Sequence, residues 1–424
     1  MSLLFSYYGD DFTGSTDALE ALAANGVRTV LFPGPPDERR LGQFAGYAAV
    51  GIAGESRSRG PEWMKRVLPG VFERLRSLGA PVTQYKVCST FDSSPEVGNI
   101  GVAMRIGREV FGSRCVPVAV AAPHLRRYVL FGNLFAAGGE AIYRIDRHPT
   151  MCRHPVTPMR ESDLRLHLRE QADDSFELLD IRALTGSNPM AALDDALSGD
   201  PAAIIFDGLD ERSELETGRL VWASRAEFPF AVGSSGLTMA LMRRWREAGL
   251  IPQQFSPAEA EAADRLIVIS GSCSPVTEEQ IQRALQNGFE GFHTADVNRD
   301  ELLRAGLESL SRGRNVAIYS ALGPNDRRGS LQGEELGRYL GNLLRELVVR
   351  SGVRRAVIAG GDTSSHAASQ LGIHALTFAA SMAPGAPLCR AHSDDSRMDG
   401  LELVLKGGQV GRSDFFEQVL KGHR

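Results

Sequence analysis

The chain has 424 residues, a length that exceeds one ordinary hydrophobic core and favours two domains. Its formal net charge of -5 gives no general attraction to nucleic acid or to an anionic membrane, so we expect neither as a partner. No segment approaches the roughly 20 continuous apolar residues of a membrane-spanning helix. The first residues, MSLLFSYYGDD, lack the basic region and the cleavage site of an export signal.

Cysteine usage indicates a reducing compartment. The chain has five cysteines, an odd number, and no two of them form a CxxC pair. This argues against a disulfide framework and against a zinc site built from thiolates. We therefore expect free thiols and a cytoplasmic protein. The five are Cys88, Cys115, Cys152, Cys273 and Cys389.

The first predicted elements are a strand in LLFSYY and a helix in TDALEALAANG, joined by a turn between glycines. Turns of this kind normally bind an anion at the helix N-terminus. Here, however, the turn opens with two adjacent acids, Asp10 and Asp11. They are candidates for accepting hydrogen bonds from the hydroxyl groups of a ligand. The alternative is that one of them only caps the helix.

Apolar runs then alternate with amphipathic segments along the chain, which indicates parallel βαβ units. The polar, proline-bearing segment 246–264 interrupts this alternation, which resumes afterwards. We therefore predict two α/β domains with mainly parallel sheets, over residues 1–250 and 262–424, with an active-site cleft between them. The further strand predictions are VRTVLF, YAAVGIAG, VTQYKV, VPVAVAAP, AAIIFDG and FPFAVG in the first domain, and RLIVISG, NVAIYSA, RRAVIAG, HALTFAA and LELVLKGG in the second.

Polar residues follow two of the strands in the first domain. Arginine and lysine suit a substrate carboxylate, and hydroxyl and acidic side chains suit sugar hydroxyls. Taken singly, each such residue is more often a loop residue or a helix cap. Their recurrence at successive strand ends favours a pocket for a polyhydroxy acid. The residues are Ser56 and Arg57 after YAAVGIAG, and Lys86, Ser89, Thr90, Asp92 and Ser93 at and after the end of VTQYKV.

A proline-rich loop repeats an Arg-His-Pro triplet, which places His148 and His154 six residues apart. Two imidazoles are potential zinc ligands, but no carboxylate or cysteine near them has the spacing of a further ligand. We therefore interpret this segment as an anion-contacting or structural loop.

Three strands of the second domain each run into a turn of glycines and small or polar residues before a helix begins. Such turns present backbone N–H groups to an anion, and glycine lets phosphate oxygens approach the backbone. Three of them at one sheet edge favour a single polyphosphate held by several loops. The turns are GSCS at 271–274, GGDTSS at 360–365 and KGG at 406–408.

Two common phosphate motifs do not occur in the chain. There is no GxxxxGK[ST], and no GxGxxG follows a strand, which argues against a P-loop enzyme and a conventional dinucleotide fold. After GSCS, Thr277 and Gln280 have the spacing of a capping box, which predicts where the next helix starts.

These motifs together resemble the four-carbon acid-sugar kinase family, and the likeness extends over nearly the whole chain. The matching segments are GDDFTGSTD, ESR, YKVCST, GNIG and HPVTP in the first domain, and SGSCSPVTEEQI, AGGDTS and LVLKGGQVG in the second. The resemblance implies an N-terminal acid-sugar domain and a C-terminal ATP domain. It also implies phosphorylation of a terminal hydroxyl of a short sugar acid, with ATP and Mg²⁺.

The resemblance also implies which residues contact each substrate. We expect either Asp10 or Asp11 to accept the hydroxyl proton during in-line transfer, and Asp362 to bind Mg²⁺. The implied acid-sugar contacts are Asp10, Asp11, Arg57, Lys86 and either Ser89 or Thr90. The implied ATP contacts are Ser272 or Ser274, Gly360, Gly361, Asp362, Thr363 and Gly407.

Two departures from the family pattern bear on the substrate. Family members often read KxDSTLRGNxG where this chain has KVCSTFDSSPEVGNIG, so Cys88 replaces an acid and an insertion follows. The doubled His-Pro stands where Asp-Pro is commoner. These features resemble the branch that acts on 3-oxo-isoapionate, a branched oxo sugar acid. The alternative substrate is 3-oxo-tetronate or threonate.

Two other functions are less favoured. An aspartate-dependent phosphohydrolase uses two aspartates two residues apart, whereas Asp10 and Asp11 are adjacent. A non-catalytic sugar-acid sensor leaves the three phosphate-type turns unexplained. The sequence leaves a homodimer open.

Overall fold

The structure, a computed structural model, describes residues 3–326, 328–329 and 331–422, except for the side chain of Asp362. The chain divides into two compact units. The first unit comprises the described residues up to Arg28 and the segment Ala45–Phe255. The second unit comprises Thr29–Phe44 and the described residues from Ser256 onward.

The helices and strands are numbered in chain order. The strands are β1 (Phe5–Gly9), β2 (Thr29–Phe32), β3 (Ala49–Ala53), β4 (Val82–Lys86), β5 (Val116–Ala119), β6 (Arg127–Leu130), β7 (Asn133–Gly138), β8 (Ala141–Arg144), β9 (Phe176–Leu179), β10 (Ala203–Phe206), β11 (Phe230–Gly233), β12 (Ile267–Ser270), β13 (Phe289–His293), β14 (Asn315–Tyr319), β15 (Arg355–Ala359), β16 (Ile373–Ala383), β17 (Ala386–Ser393) and β18 (Glu402–Lys406). The α-helices are α1 (Phe12–Ala23), α2 (Glu38–Gly42), α3 (Pro61–Ser77), α4 (Ile100–Phe111), α5 (Leu164–Arg169), α6 (Ile181–Leu184), α7 (Pro189–Leu197), α8 (Glu211–Ala223), α9 (Ser235–Glu247), α10 (Pro275–Gln286), α11 (Arg299–Ser311), α12 (Gly333–Ser351), α13 (Gly361–Ala368) and α14 (Phe415–Lys421).

The first unit is built on a sheet of parallel strands in the order β3-β1-β4-β11-β5-β10-β9. Strand β1 is buried along its whole length. Its last residue, Gly9, lies level with Ala53 at the end of β3 and with Lys86 at the end of β4. The loops that follow these three strands therefore leave the sheet at one edge, where open α/β sheets bind ligands.

Helix α3 packs on this sheet because its apolar side chains recur at helical spacing. Met64, Leu68, Phe72 and Leu75 are all buried. They join a hydrophobic cluster that includes Tyr85 of β4. Burying one such side chain stabilises the fold by about 1.5–3 kcal/mol, so the cluster holds the site-bearing strands in place.

A separate antiparallel sheet of strands β6, β7 and β8 also belongs to the first unit. The sequence pattern does not predict this sheet. Its strands β6 and β8 are mostly half-buried or exposed. They therefore lack the continuous apolar run that identifies a buried parallel strand.

The second unit has a sheet in the order β13-β14-β12-β15-β18-β17-β16-β2. The first five of these strands run parallel, and β17, β16 and β2 run antiparallel to their neighbours. The predicted strand HALTFAA lies in β16, which forms a hairpin with β17. The segment Thr29–Phe44 belongs to this unit because β2 pairs with β16.

The prediction of two α/β domains with mainly parallel sheets is confirmed. Each strand predicted from the sequence overlaps an observed strand. Within the described ranges, no helix combines the length and the apolar character needed to cross a lipid bilayer. All five cysteines are free thiols.

Candidate active site

Backbone hydrogen bonds of Asp10 connect the end of β1 to the end of β4 and to the loop after β3 in the first unit. Its N–H donates to the carbonyl of Lys86 at 2.9 Å, and its own carbonyl accepts from the N–H of Arg57 at 3.0 Å. These bonds extend the parallel pairing one residue beyond Gly9, so the side chains of the three loops converge at the sheet edge.

Asp11 is the N-cap of helix α1. One carboxylate oxygen accepts from the backbone N–H of Gly14 at 2.5 Å, and the other accepts from Arg57 Nη1 at 2.7 Å. Burial by itself would raise the pKa of Asp11, but the charges of Arg57 and Lys86 and the bond from Gly14 outweigh it, so the pKa lies below its ordinary value. Asp11 is therefore a firmly ionised carboxylate. It is also the helix cap, which is the alternative role expected for one of the two acids.

Asp10 lies in the opposite environment. The residue is 5% exposed, and within the described part of the chain no hydrogen bond or ion pair involves its carboxylate. Burial, followed by the charge of Asp11, raises the pKa of Asp10 to about 7. A carboxylate with a pKa near neutrality can accept a proton at physiological pH, which is what a general base requires.

Arg57 bridges two carboxylates. Its Nη1 donates to Asp11 and its Nη2 donates to Asp92, each at 2.7 Å. Asp92 is buried and also accepts from the hydroxyls of Thr90 at 2.5 Å and Thr157 at 3.4 Å. Both terminal nitrogens of Arg57 already have carboxylate partners, so the predicted contact between Arg57 and a substrate carboxylate stays a prediction.

Lys86 supplies the second cation of the cluster. Its ammonium group donates to the Val87 carbonyl at 3.2 Å and lies 3.5 Å from the carboxylate of Asp17. A Cβ added at Gly14 would lie 2.6 Å from Asp11 Oδ1 and 3.3 Å from this nitrogen, so a larger residue there would crowd both groups. Burial would lower the pKa of Lys86, but the charges of Asp17 and Asp10 raise it above the ordinary value.

Asp17 is a residue of this site that the candidates predicted from the sequence do not include. It lies in the middle of helix α1, where a lone acid normally indicates a solvated face. The signal in the sequence that points to Asp17 is its place as the last residue of the GDDFTGSTD motif.

The remaining predicted substrate residues have different surroundings. Ser56 is fully buried, and its hydroxyl is 2.9 Å from the hydroxyl of Tyr85, which places it behind the site. Thr90 donates to Asp92 and also lies 3.0 Å from the thiol of Cys88. Ser89 is half-buried in the same loop, and no hydrogen bond joins it to the carboxylates among the described residues.

The two histidines of the Arg-His-Pro repeat are part of the loop structure. His148 Nδ1 accepts from the N–H groups of Thr150 and Met151, so its Nε2 carries the proton and donates to the Ala137 carbonyl. His154 Nδ1 accepts from the N–H of Thr157 at 3.0 Å. Since Thr157 reaches Asp92, the loop supports the cluster around Arg57, as the structural interpretation of this segment requires.

In the second unit, the GSCS turn leads from β12 into α10. Ser274 is the N-cap and accepts from the N–H of Val276 at 3.2 Å, while its own N–H donates to Ser272 Oγ at 3.2 Å. The helix therefore begins earlier than the capping-box spacing of Thr277 and Gln280 predicts, and that prediction is wrong. The reason is that Pro275 suits the first helical position and Ser274 caps it.

Thr277 and Gln280 instead hold the KGG turn. The hydroxyl of Thr277 donates to the Gly408 carbonyl at 2.8 Å. The amide of Gln280 donates to the carbonyls of Val410 and Arg412 at 3.0 and 2.9 Å. Helix α10 therefore fixes the loop that follows β18.

The GGDTSS turn leads from β15 into α13. Gly360 has a φ of 121°, a conformation that favours glycine, and its N–H donates to the Lys406 carbonyl at 2.9 Å. Ser364 Oγ donates to the Gly360 carbonyl at 2.6 Å. A Cβ added at Gly361 would meet nothing within 4 Å, so the first turn of α13 is open on that side.

The three glycine turns are packed against one another. A Cβ at Gly408 would lie 2.6 Å from Ser272 Oγ, and a Cβ at Gly271 would overlap the hydroxyl of Thr363. At Gly360 a Cβ would lie 3.4 Å from the backbone nitrogen of Ser272. The structure thus brings together the predicted nucleotide residues Ser272, Ser274, Gly360, Gly361, Thr363 and Gly407 at one edge of the second unit.

Asp362, the predicted Mg²⁺ ligand, belongs to helix α13, and its side chain lies outside the described part of the structure. Among the side chains that are described, no group of three or more His, Cys, Asp or Glu could hold a metal ion.

Comparisons with known proteins agree with this arrangement. The model of a sugar-binding N-terminal domain matches residues 5–241, and the model of a nucleotide-binding C-terminal domain matches residues 267–416. The chain is 45% identical to a 3-oxo-isoapionate kinase of Paraburkholderia graminis, covering 99% of this chain and 94% of that protein. It is 30% identical to a 3-oxo-tetronate kinase of Cupriavidus necator, covering 99% and 96%.

A solved structure shares the fold. A protein of Salmonella typhimurium LT2, provisionally named a tRNA synthase, superposes with a TM-score of 0.80 at 26% identity, over 99% of this chain and 98% of the other. The resemblance inferred from the motifs is confirmed: the chain belongs to the four-carbon acid-sugar kinase family, whose members join a sugar-binding N-terminal domain to a nucleotide-binding C-terminal domain.

Proposed function

We propose that the protein is an ATP-dependent kinase that phosphorylates a terminal hydroxyl of a short sugar acid, with 3-oxo-isoapionate as its substrate. The observation that carries the reaction type is the cluster in which the buried carboxylate of Asp10 lies beside ionised Asp11, Arg57 and Lys86. The choice of acid is supported by the 45% identity to the Paraburkholderia graminis enzyme.

Asp10 is the proposed general base. Its carboxylate has no hydrogen-bond donor in the described structure, and its raised pKa of about 7 makes it a better proton acceptor than Asp11. Asp10 would take the proton from the terminal hydroxyl as that oxygen forms a bond to the γ-phosphorus of ATP and the bond to the β,γ-bridging oxygen breaks. Phosphoryl transfer needs little other covalent chemistry from the protein, so positioning dominates.

Lys86 is the proposed partner of the substrate carboxylate. Among the described residues, the partners of its ammonium group are a carbonyl and the more distant Asp17, so it can donate further hydrogen bonds. Arg57 would act by holding Asp11 and Asp92 in place, and their remaining lone pairs are suited to sugar hydroxyls. Thr90, which shares Asp92, and the half-buried Ser89 would complete the wall of this pocket.

ATP is the proposed ligand of the three glycine turns in the second unit. Two backbone features support this: the open first turn of α13 and the close packing of the turns, which only glycine permits. The assignment of residues 1–250 to the sugar acid and 262–424 to the nucleotide is part of this proposal. It is supported by the family models over residues 5–241 and 267–416.

Mg²⁺ would accompany the nucleotide. The ion takes most of its ligands from phosphate and water, and needs one or two carboxylates from the protein. Asp362 directly follows Gly361 in the chain, where the first turn of α13 is open, and would supply such a carboxylate. Bound there, the ion would neutralise phosphate charge. Asp362→Asn should therefore raise the Mg²⁺ concentration needed for half-maximal activity.

The experiment that tests the function is an ADP-release assay. Purified protein is incubated with ATP and Mg²⁺, either alone or with one acid in each reaction: 3-oxo-isoapionate, 3-oxo-tetronate or threonate. We expect ADP only when an acid is present, with the highest kcat/KM for 3-oxo-isoapionate. A higher kcat/KM for 3-oxo-tetronate, the substrate of relatives 28–32% identical to this chain, would reassign the substrate. Phosphate release from a sugar phosphate without ATP would indicate a hydrolase, and acid binding without turnover a sensor.

The cellular setting is also a proposal. The five free cysteines favour a cytoplasmic location, which fractionation of a tagged protein would test. A homodimer would be tested by light scattering during size-exclusion chromatography.

A further inference from the structure

Lys406 is a buried cation that has no negative partner among the described side chains. It ends strand β18, it is 0% exposed, and no ion pair within the described residues includes it. Its ammonium group lies 3.1 Å from the hydroxyl of Thr277 and 6.0 Å from the ring centre of Phe415. These two neighbours belong to α10 and α14, and no charged or titratable side chain in the described structure contributes to the pKa of Lys406.

This arrangement is unfavourable in the protein without a ligand. A buried ammonium group normally has a carboxylate partner or loses its proton, because desolvation penalises the charged form. Burial lowers the pKa of Lys406 to about 7, so near neutrality the group exchanges between charged and neutral forms. The N-terminus of α10, which carries a partial positive charge, begins close to Thr277 and adds to the need for an anion.

The position of Lys406 shows which anion would meet this need. The carbonyl of Lys406 accepts from the N–H of Gly360 in the second glycine turn. The hydroxyl of Thr277 accepts from the ammonium group of Lys406 and donates to the Gly408 carbonyl in the third turn. Gly408 in turn packs against Ser272 of the first turn. Lys406 therefore lies behind the point where all three predicted phosphate-binding turns meet.

We propose that Lys406 is the positioning cation of the nucleotide phosphate site: a bound polyphosphate stabilises its charged form, so nucleotide binding takes up a proton at Lys406 Nζ. The inference rests on the proposed binding of ATP by the second unit. It goes beyond the backbone contacts of that proposal, because it assigns the charge that balances the phosphates to a side chain that does not face solvent.

The test is calorimetry with the full chain. ATP is titrated, without sugar acid, in buffers of different ionisation enthalpy at pH 8, where free Lys406 is mostly neutral. The buffer dependence of the heat gives the number of protons taken up. We expect a net uptake that disappears at pH 6, where Lys406 is already charged. Lys406→Met should remove the uptake and weaken ATP binding by roughly 10- to 100-fold, as expected for a lost hydrogen bond or charge contact to phosphate.

Two comparisons separate charge from structural damage. Lys406→Arg keeps a permanent charge, so it should bind ATP without proton uptake. Adenosine has no phosphates, so its affinity for Lys406→Met should equal that for the wild type. Equal proton uptake in Lys406→Met, or an equal loss of adenosine and ATP affinity, would overturn the inference. Failure of the wild type to bind ATP at all would instead overturn the proposed function.

Discussion

Asp10 and Asp11 are neighbours in the chain, yet their carboxylates differ in charge behaviour. Asp11 accepts from the Gly14 N–H and from Arg57, which lowers its pKa, whereas burial and the charge of Asp11 raise the pKa of Asp10 to about 7. The difference arises because Asp11 begins helix α1 and Asp10 still belongs to the sheet edge. Two aspartates at one turn thus have different roles. Asp11 caps helix α1 and pairs with Arg57, and Asp10 is available as a base.

The first prediction compares the two acids. Asp10→Asn should lower kcat for acid-dependent ADP release by about 10²–10⁴, the usual contribution of a general base, while ATP binding stays unchanged. Asp11→Asn should lower kcat much less, because asparagine still caps the helix and only the ion pair with Arg57 is lost. Steady-state kinetics and ATP titration measure both. If Asp11→Asn were inactive and Asp10→Asn active, Asp11 would be the general base instead of Asp10.

The second prediction concerns the pH dependence of the rate. If Asp10 must be deprotonated to accept the hydroxyl proton, kcat/KM for the acid should rise tenfold per pH unit below its pKa and level off above about pH 7. Residual activity of Asp10→Asn should lack this rise. A wild-type profile that is flat between pH 5 and 8 would contradict the assignment.

The same pKa shift makes a third prediction, about stability. The folded chain binds the Asp10 proton more tightly than the unfolded chain, in which the pKa is the ordinary 3.8. The free energy of unfolding should therefore fall as the pH rises from 3.8 to about 7. The upper bound is about 1.4 kcal/mol per pKa unit. Asp10→Asn removes this loss, so its Tm should exceed that of the wild type above pH 7 and not at pH 4. A constant difference in Tm across this range would argue against the buried carboxylate.

How far the sequence predicts this site depends on how local each signal is. Asp10 and Arg57 are predictable because they follow buried apolar strands, and Lys86 because it ends one; parallel strands end at one sheet edge. The partner of Arg57 is not predictable, since Asp92 reaches it only through the conformation of a loop. Asp17 lies in a helix, where an acid usually faces solvent.

In the second unit the glycine turns are predictable from their composition, but the side chains that support them are not. Thr277 has the spacing of a helix cap and instead binds the Gly408 carbonyl. Lys406, at the end of a strand, would normally extend towards solvent, and its burial depends on α10 and α14 packing over it. Strands β6 to β8 are missed because short, half-exposed strands carry little apolar pattern.

The fourth prediction concerns Arg57 as a structural bridge. Arg57→Met leaves the buried carboxylate of Asp92 without its cation. The free energy of unfolding should fall by on the order of 3 kcal/mol or somewhat less, because solvent screens the partly exposed Arg57. The matched control is Arg105→Met, which breaks the more exposed pair with Asp174 and should cost about 1 kcal/mol or less. Denaturant unfolding measures both. If Arg57→Met raised only the KM for the acid and left stability unchanged, Arg57 would be a substrate ligand instead.

The last prediction tests the packing of the glycine turns. In Gly408→Ala the new Cβ would lie 2.6 Å from Ser272 Oγ and 3.0 Å from Ser274 Cβ, so the GSCS and KGG turns would have to move apart. Overpacking of this kind costs about 1–3 kcal/mol, and if the turns hold phosphate together, the KM for ATP should rise by roughly 5- to 100-fold. Gly34→Ala is the control, because a Cβ there meets nothing within 4 Å. The KM for the sugar acid should change in neither variant. A normal KM for ATP in a stably folded Gly408→Ala would show that the nucleotide does not depend on the contact between these turns.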